Sequence, residues 1–186
     1  PARQHFGYRN KAALPIVQGE NGIEIGYYKQ KSHELIDIKK CALLPEEMND
    51  AITLVRDWAN EYGLTAYCEQ TGKGLLRHLV LRYSAAGEMM VALVIDGEQL
   101  PYAKELIRNL RINLPEVYSV LVNKNTERSA QILGSETQAI FGSERILEEI
   151  AGLSFDISLN TFLQVNHDQT ELLYQTVFKL ARVLPG

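Results

Sequence analysis

The sequence has no hydrophobic run near the roughly 18 apolar residues that a membrane-spanning helix needs, and no basic-then-apolar leader ahead of a cleavage site. A membrane protein is therefore not expected, and the chain reads as cytoplasmic. Cysteine is scarce. Cys41 and Cys68 stand alone, without the close pairing of zinc sites or disulfide scaffolds, so both are expected as free thiols. No internal repeat, low-complexity tract or Pro/Gly/Ser linker divides the first 150 residues. The chain also lacks a G-x-S-x-G, a phosphate loop and an H-E-x-x-H, which leaves nothing to support a hydrolase or a nucleotide-triphosphate enzyme. His33, Glu34 and Asp37 form only a His-x-x-x-Asp without a third ligand, and a metal site is not read there.

What is present is ordinary globular material. A length of 186 residues with 46% apolar content suits one domain, or one domain plus part of a second. A net charge of -4 argues against a strongly basic, free-standing nucleic-acid binder. The distribution of charge says more than the sum. Residues 1–19 hold Arg3, Arg9 and Lys11 and no acid, and residues 71–84 hold Lys73, Arg77, Arg82 and His78 and no acid. Two such segments on one face would track phosphates, and the alternative is that they are simply solvated.

Apolar periodicity orders the chain. Residues 9–17 and 23–28 are β-prone around Gln18-Gly-Glu-Asn-Gly22, where Asn21-Gly22 signals a hairpin. A short strand is expected over 34–38. Pro45-Glu-Glu opens a helix whose stripe of Met48, Ala51, Ile52, Val55, Trp58, Ala59 and Tyr62 ends at Gly63. Residues 75–83 and 88–95 form a hairpin around Ser84-Ala-Ala-Gly87, 101–114 a helix, and 117–122 a buried strand. Further short strands are expected over 138–141, 146–150 and 153–157. The order implies an α+β class, two-layer, with mostly antiparallel sheets and helices.

The densest stretch is SLNTFLQVNHDQTELLY, residues 158–174. An extended Phe-Leu-Gln-Val run meets a helix start at which Asn166 can cap and Gln169 can return the bond. Asp168 suits the positive helix end, and Leu173, Val177, Leu180 and Leu184 continue at helical spacing. Gln164 and Asn166 thus stand beside a helix N-terminus able to meet a polar ligand, or they only brace the junction.

The phrase FLQVNHDQTELLY resembles the F-x-Q-V-N-x-x-Q-x-x-x-L-Y signature that opens the methyltransferase domain of the RNA uracil-C5 methyltransferases, makers of 5-methyluridine. GYRNKAALPI at 7–16 resembles that family's G-Y-R-N-K motif, SHELIDIKKCALLP at 32–45 its S-H-x-I-D-I-x-x-C block, and LLRHLVLR at 75–82 a fourth stretch. They stand in the family's order across nearly the whole chain.

The resemblance implies a central RNA-contacting, cluster-adjacent domain over 1–158. Residues 159–186 would then be the start of an S-adenosylmethionine-dependent methyltransferase domain, its first strand and helix. It implies that Gln164, with Phe162 just before it, contacts S-adenosylmethionine. Arg9, Asn10 and Lys11 would act at RNA, with Arg77 and His78 as weaker candidates. For these the alternatives are exposed strand residues at Arg9 and Lys11 and a packed histidine at His78. Cys41 matches the fourth ligand of a [4Fe-4S] cluster whose other ligands are not in this sequence, so a cluster-free piece is expected. Read alone, Cys41 is a small buried apolar side chain.

The implied reaction is methylation of uridine C5, with 23S ribosomal RNA as the implied partner. A cysteine thiolate adds to C6, and that nucleophile has its family position beyond Gly186. No catalytic residue is therefore expected in this piece, and no turnover by it alone. The rival is a non-catalytic RNA-binding or protein-interaction module on the same α+β scaffold.

Overall fold

The computed structural model describes residues 5–32 and 34–181; Arg3, His33 and Leu184 lie outside the described residues. Strands β1 (Lys11–Gly19), β2 (Gly22–Tyr28) and β3 (Leu35–Asp37) form an antiparallel meander at one side of a seven-stranded sheet. Helix α1 (Glu46–Glu61) leads to β4 (Leu76–Tyr83) and β5 (Met89–Ile95), and α2 (Ala103–Asn113) leads to β6 (Val117–Lys124) and β7 (Glu136–Phe141). The sheet order is β3-β2-β1-β4-β5-β6-β7. Every pairing in it is antiparallel except β5 with β6. A parallel pair needs a crossover, which α2 supplies. The expected α+β class and mostly antiparallel sheet are what the chain forms.

Strand alternation divides the core. Leu14, Ile16, Ile25, Leu79, Leu81, Val91 and Leu93 face α1 and α2, whereas Val80, Met90, Ala92, Val94 and Leu121 face the other way. The second set is covered by Ile146, Ile157 and Leu159 from the hairpin β8 (Arg145–Ile150) and β9 (Leu153–Ser158). Strand β5 is thereby buried along all seven residues. An apolar run without polar alternation is the pattern such a strand requires.

Two details depart from the expected turns. The β1–β2 turn is Glu20-Asn21, because Gly19 pairs with Gly22. Gly22 is the first residue of β2 at φ +123, where a Cβ would stand 2.4 Å from Asn60 Oδ1. The same oxygen accepts from Ile23 N at 2.8 Å, so the glycine admits α1 to the hairpin. Strand β1 changes partner part-way: residues 11–15 pair with β4 and residues 16–19 with β2. Pro15 sits at that handover, where its missing N–H costs least.

Helix α1 is fixed at both ends by polar contacts as well as its stripe. Asn49 accepts from Cys41 N at 2.7 Å and donates to Pro45 O at 3.0 Å, while Arg56 Nη2 reaches Asp37 Oδ1 at 2.9 Å and Ile38 O at 2.7 Å. Trp58 Nε1 donates to Tyr102 O at 3.0 Å and so ties α1 to the start of α2. Helix α2 begins at Ala103, not Pro101, since Tyr102 adopts φ +54. Residues 159–166 carry no strand. They accept hydrogen bonds from Asn10, just ahead of β1, and from Arg82 of β4, and lead into α3 (His167–Ala181). No helix among the described residues is long and apolar enough to cross a membrane.

Candidate functional site

The start of α3 is built from segments remote in sequence. Asn166 Oδ1 accepts from Gln169 N at 3.0 Å, and Asn166 O accepts from Thr170 N at 3.0 Å and Thr170 Oγ1 at 2.8 Å. Asn166 is therefore the expected cap. Asn10 N donates to Val165 O at 3.0 Å and Asn10 Nδ2 to Gln164 O at 3.2 Å, and Arg9 and Asn166 form an antiparallel bridge. On its other side the 7–11 segment meets the stretch after Cys41, through Gly7 N to Ala42 O at 2.8 Å and Arg9 N to Leu43 O at 2.9 Å. The GYRNK, IDIKKC and FLQVN segments thus converge at one helix N-terminus.

The electrostatics of this end are set by burial. Arg82 is 3% exposed, and its Nη2 donates to Leu159 O at 3.0 Å and to Thr161 O. No carboxylate pairs with it among the described residues, and burial lowers its pKa to about 10, so it remains a cation at neutral pH. Lys11 stands opposite Arg82 across the β1–β4 ladder. Partial burial holds its ammonium below the ordinary value, and the charge of Arg82 adds to the effect. Burial raises the phenol of Tyr27, with Cys41 adding and Arg9 opposing, which sets these three groups in one neighbourhood. Glu148 is 2% exposed; its Oε1 accepts from Ala85 N at 3.1 Å and lies 3.6 Å from His167 Nδ1. Glu171 Oε1 accepts from Ala151 N at 2.6 Å. These carboxylates tie the β8–β9 hairpin to the sheet and to α3.

A groove of about 240 Å³ opens beside the helix start, lined in part by Arg9, Asn10, Asn166, His167 and Asp168. Gln164 is exposed, is not among the lining residues, and can offer a cofactor one amide contact. Phe162 is 83% exposed. Cys41 is half-buried against the core. Among the described residues no group of three His, Cys, Asp or Glu side chains could hold a metal. The residues present do not fit an iron-sulfur cluster, which needs several converging thiolates.

Arg77 and His78 lie elsewhere, at the far end of β4. Arg77 is 5% exposed, its Nη1 donating to Asn125 O at 2.6 Å and Glu127 O at 2.8 Å, and its guanidinium stands 4.6 Å over the Tyr67 ring. Burial, then the Arg77 charge, lowers the pKa of His78 to about 4, so it is neutral at pH 7 and is not a phosphate-pairing cation. Both line a separate cleft of about 750 Å³ with Tyr28, Tyr67, Glu69 and Arg128. Those four had no sequence signal, because one strand end and two loops bring them together.

No family model matches the chain. It is 38% identical over 177 residues to an uncharacterized RNA methyltransferase of Halalkalibacterium halodurans, spanning 95% of this chain and 39% of that protein. The sequence is similar to RNA methyltransferases along nearly its whole length. An uncharacterized RNA methyltransferase of Clostridium acetobutylicum is 35% identical over 177 residues, and one of Caldanaerobacter subterraneus is 38% identical over 179. The chain spans about two fifths of the length of the curated relatives it matches. Among solved structures it is similar to the Pyrococcus abyssi tRNA (uracil-54, C5)-methyltransferase in complex with S-adenosyl-L-homocysteine. That likeness has a TM-score of 0.78 at 24% identity, over 100% of this chain and 43% of that one, and it shows the shared fold.

Proposed function

We propose that this chain is the central part of an S-adenosylmethionine-dependent RNA methyltransferase that methylates C5 of uridine, with 23S ribosomal RNA as substrate and the cytoplasm as its place of action. The observation that carries this reading is the convergence of residues 7–11, 41–43 and 164–166 at the start of α3. Three motifs spread over the chain become one constellation, and the identity to RNA methyltransferases extends across it. In this reading residues 1–158 are a central domain and 159–186 open the methyltransferase domain.

The exposed faces of α3 support that division. Leu173, Val177, Phe178 and Leu180 are each roughly half exposed or more, which is unusual for an amphipathic helix with its packing complete. S-adenosylmethionine, when bound, supplies the methyl group, and Gln164 contributes one neutral amide that adds no charge beside a sulfonium. Arg9 and Lys11 face RNA, and Asn10 holds the helix entry in register with them. Carbon five of uracil is a poor nucleophile until a thiolate adds at C6. Neither Cys41 nor Cys68 is assigned that role. The target base must also leave its stack, so contacts to flanking RNA belong to the mechanism.

The test uses the longer protein that contains this chain, with labelled S-adenosylmethionine and unmodified transcripts of 23S ribosomal RNA and of transfer RNA. Nucleoside mass spectrometry is expected to find 5-methyluridine in the ribosomal transcript. Label in the transfer RNA alone would reassign the substrate, and no methylated pyrimidine in either would overturn the reading.

A further inference from the structure

The stretch that leads into α3 is held by two residues at one end of the β1–β4 pair. Arg82 Nη2 donates to Leu159 O at 3.0 Å and to Thr161 O. Asn10 holds two carbonyls further on, its Nδ2 donating to Gln164 O at 3.2 Å and its backbone N to Val165 O at 3.0 Å. Asn10 O in turn accepts from Tyr83 N at 2.9 Å, and Lys11 and Arg82 are partners in the ladder between β1 and β4. Residues 10 and 82 are thus fixed against each other by the sheet, and together they fix a segment that carries no strand of its own.

The hold by Asn10 falls where it bears on Gln164. Gln164 O belongs to the peptide group that adjoins the Gln164 Cα, so the bond from Asn10 Nδ2 sets the plane from which the Gln164 side chain leaves. Gln164 itself is exposed, and the backbone bends at Val165 immediately before the cap of α3. An amide carried on a free loop gives up conformational entropy each time it meets a ligand, whereas one whose backbone is already held gives up less. Sites mounted on a sheet are also placed more precisely than sites on loops, and Asn10 ties this loop residue to the sheet. The residue type suits the task. A carboxamide on a short side chain donates to a carbonyl without adding charge, while the neighbouring Arg9 and Lys11 are both cations.

We propose that Asn10 is a positioning residue for the cofactor, acting through Gln164, and that it is not an RNA contact although its sequence neighbours are. This role rests on Gln164 meeting S-adenosylmethionine, as in the enzyme reading, and adds the residue that aims it. One short run, Arg9-Asn10-Lys11, then serves two ligands. The outer pair serves the polyanion by charge, and the middle residue serves the methyl donor by a neutral hydrogen bond to a backbone carbonyl.

The test uses the longer protein that contains this chain. Equilibrium dialysis gives its affinity for labelled S-adenosylmethionine in the absence of RNA, and filter binding gives its affinity for the 23S ribosomal transcript at several salt concentrations. Asn10→Ala is expected to weaken cofactor binding about 2- to 12-fold, the worth of one hydrogen bond. RNA affinity and its salt slope should stay within about twofold. Asn10→Leu keeps the branched shape without the N–H and should weaken the cofactor as Asn10→Ala does. A double-mutant cycle supplies the readout that a general stabiliser would not move: in a Gln164→Ala background, Asn10→Ala should have no further effect on cofactor binding. Cofactor affinity unchanged in both Asn10 variants, or a second loss of the same size in the Gln164→Ala background, would overturn the role. So would a fall in RNA affinity with cofactor affinity intact, which would make Asn10 an RNA contact. Thermal unfolding checks that each variant is folded, and failure of both to fold would make Asn10 a general stabiliser and overturn the role as well. Cofactor binding and methyl transfer that ignore Asn10→Ala sink the positioning role alone, whereas an unmodified protein that binds no S-adenosylmethionine sinks the enzyme reading and this role with it.

Discussion

Helices α1 and α3 are nearly equal in length, sixteen and fifteen residues, and opposite in what they bury. Helix α1 sinks Met48, Ala51, Ile52, Val55, Trp58 and Ala59 into the sheet, with exposures of 1% or less. Helix α3 buries only Thr170 and leaves its apolar side chains in water. Its place in the structure rests on its first turn, through Asn166, Glu171 and the Arg82-bound segment before it. Helix stability in proteins comes mostly from packing, so the two helices should differ sharply in what holds them.

The largest break in that contrast is expected at Trp58. Trp58→Ala removes a fully buried indole and its bond to Tyr102 O, and should cost about 3–5 kcal/mol in denaturant unfolding. A cost under about 1 kcal/mol would mean that α1 is not the pillar of the core. Acid attacks the same sheet by another route. The pKa of His78 is lowered to about 4 when folded against an ordinary 6.5, so the unfolded chain takes its proton first as pH falls. Stability from this group is complete above about pH 6.5 and is lost between there and about pH 4, on the order of 3 kcal/mol at most. His78→Gln should flatten the unfolding profile in that window, and an unchanged slope would remove His78 from the account.

An intermediate effect is expected at Arg82. Arg82→Met keeps the volume and deletes the donors to Leu159 O and Thr161 O, at about 1–3 kcal/mol, partly offset by relief of a buried charge. Hydrogen exchange separates the two helices here. Amides of residues 159–170 should exchange faster while those of α1 stay protected, and a uniform loss would show that the segments are not distinct. Asn166→Ala is smaller again, about 1 kcal/mol, and should fray only the first turn of α3.

Much of this was legible because period and burial agree. The stripe of α1, the two hairpins and the Asn166 cap follow from residue types that fit one structure only. The site was less legible. Arg82 lies in a stretch rich in cations and free of acids, where a solvated or RNA-facing side chain is the natural expectation. Its partners are carbonyls 77 and 79 residues away, and carbonyls leave no trace in side-chain patterns. The surroundings of Arg77 were illegible for the same reason, since its hydrogen-bond partners are the carbonyls of Asn125 and Glu127. A register shift between Leu76 and His78 also interrupts the alternation from which facing is judged. Gln164 carries no local signal beyond its place before a helix, and its assignment came through the family motif. Tyr28, Tyr67 and Arg128 become neighbours only when the sheet and two loops close.

The smallest expected effect is the most discriminating. Phe178 on α3 is 51% exposed, so Phe178→Ala in the 186-residue chain should change the unfolding free energy by about 0.5 kcal/mol or less. In the longer protein of the proposed reading, the same ring packs against the rest of the methyltransferase domain, and its loss should cost about 3–5 kcal/mol. The comparison needs only two denaturation curves for each protein. A small effect in both would mean that α3 keeps its apolar face in water throughout, and the division of the chain at residue 159 would lose its physical support. A large effect in the longer protein alone would make α3 a helix whose sequence was written for a neighbour that α1 never needed.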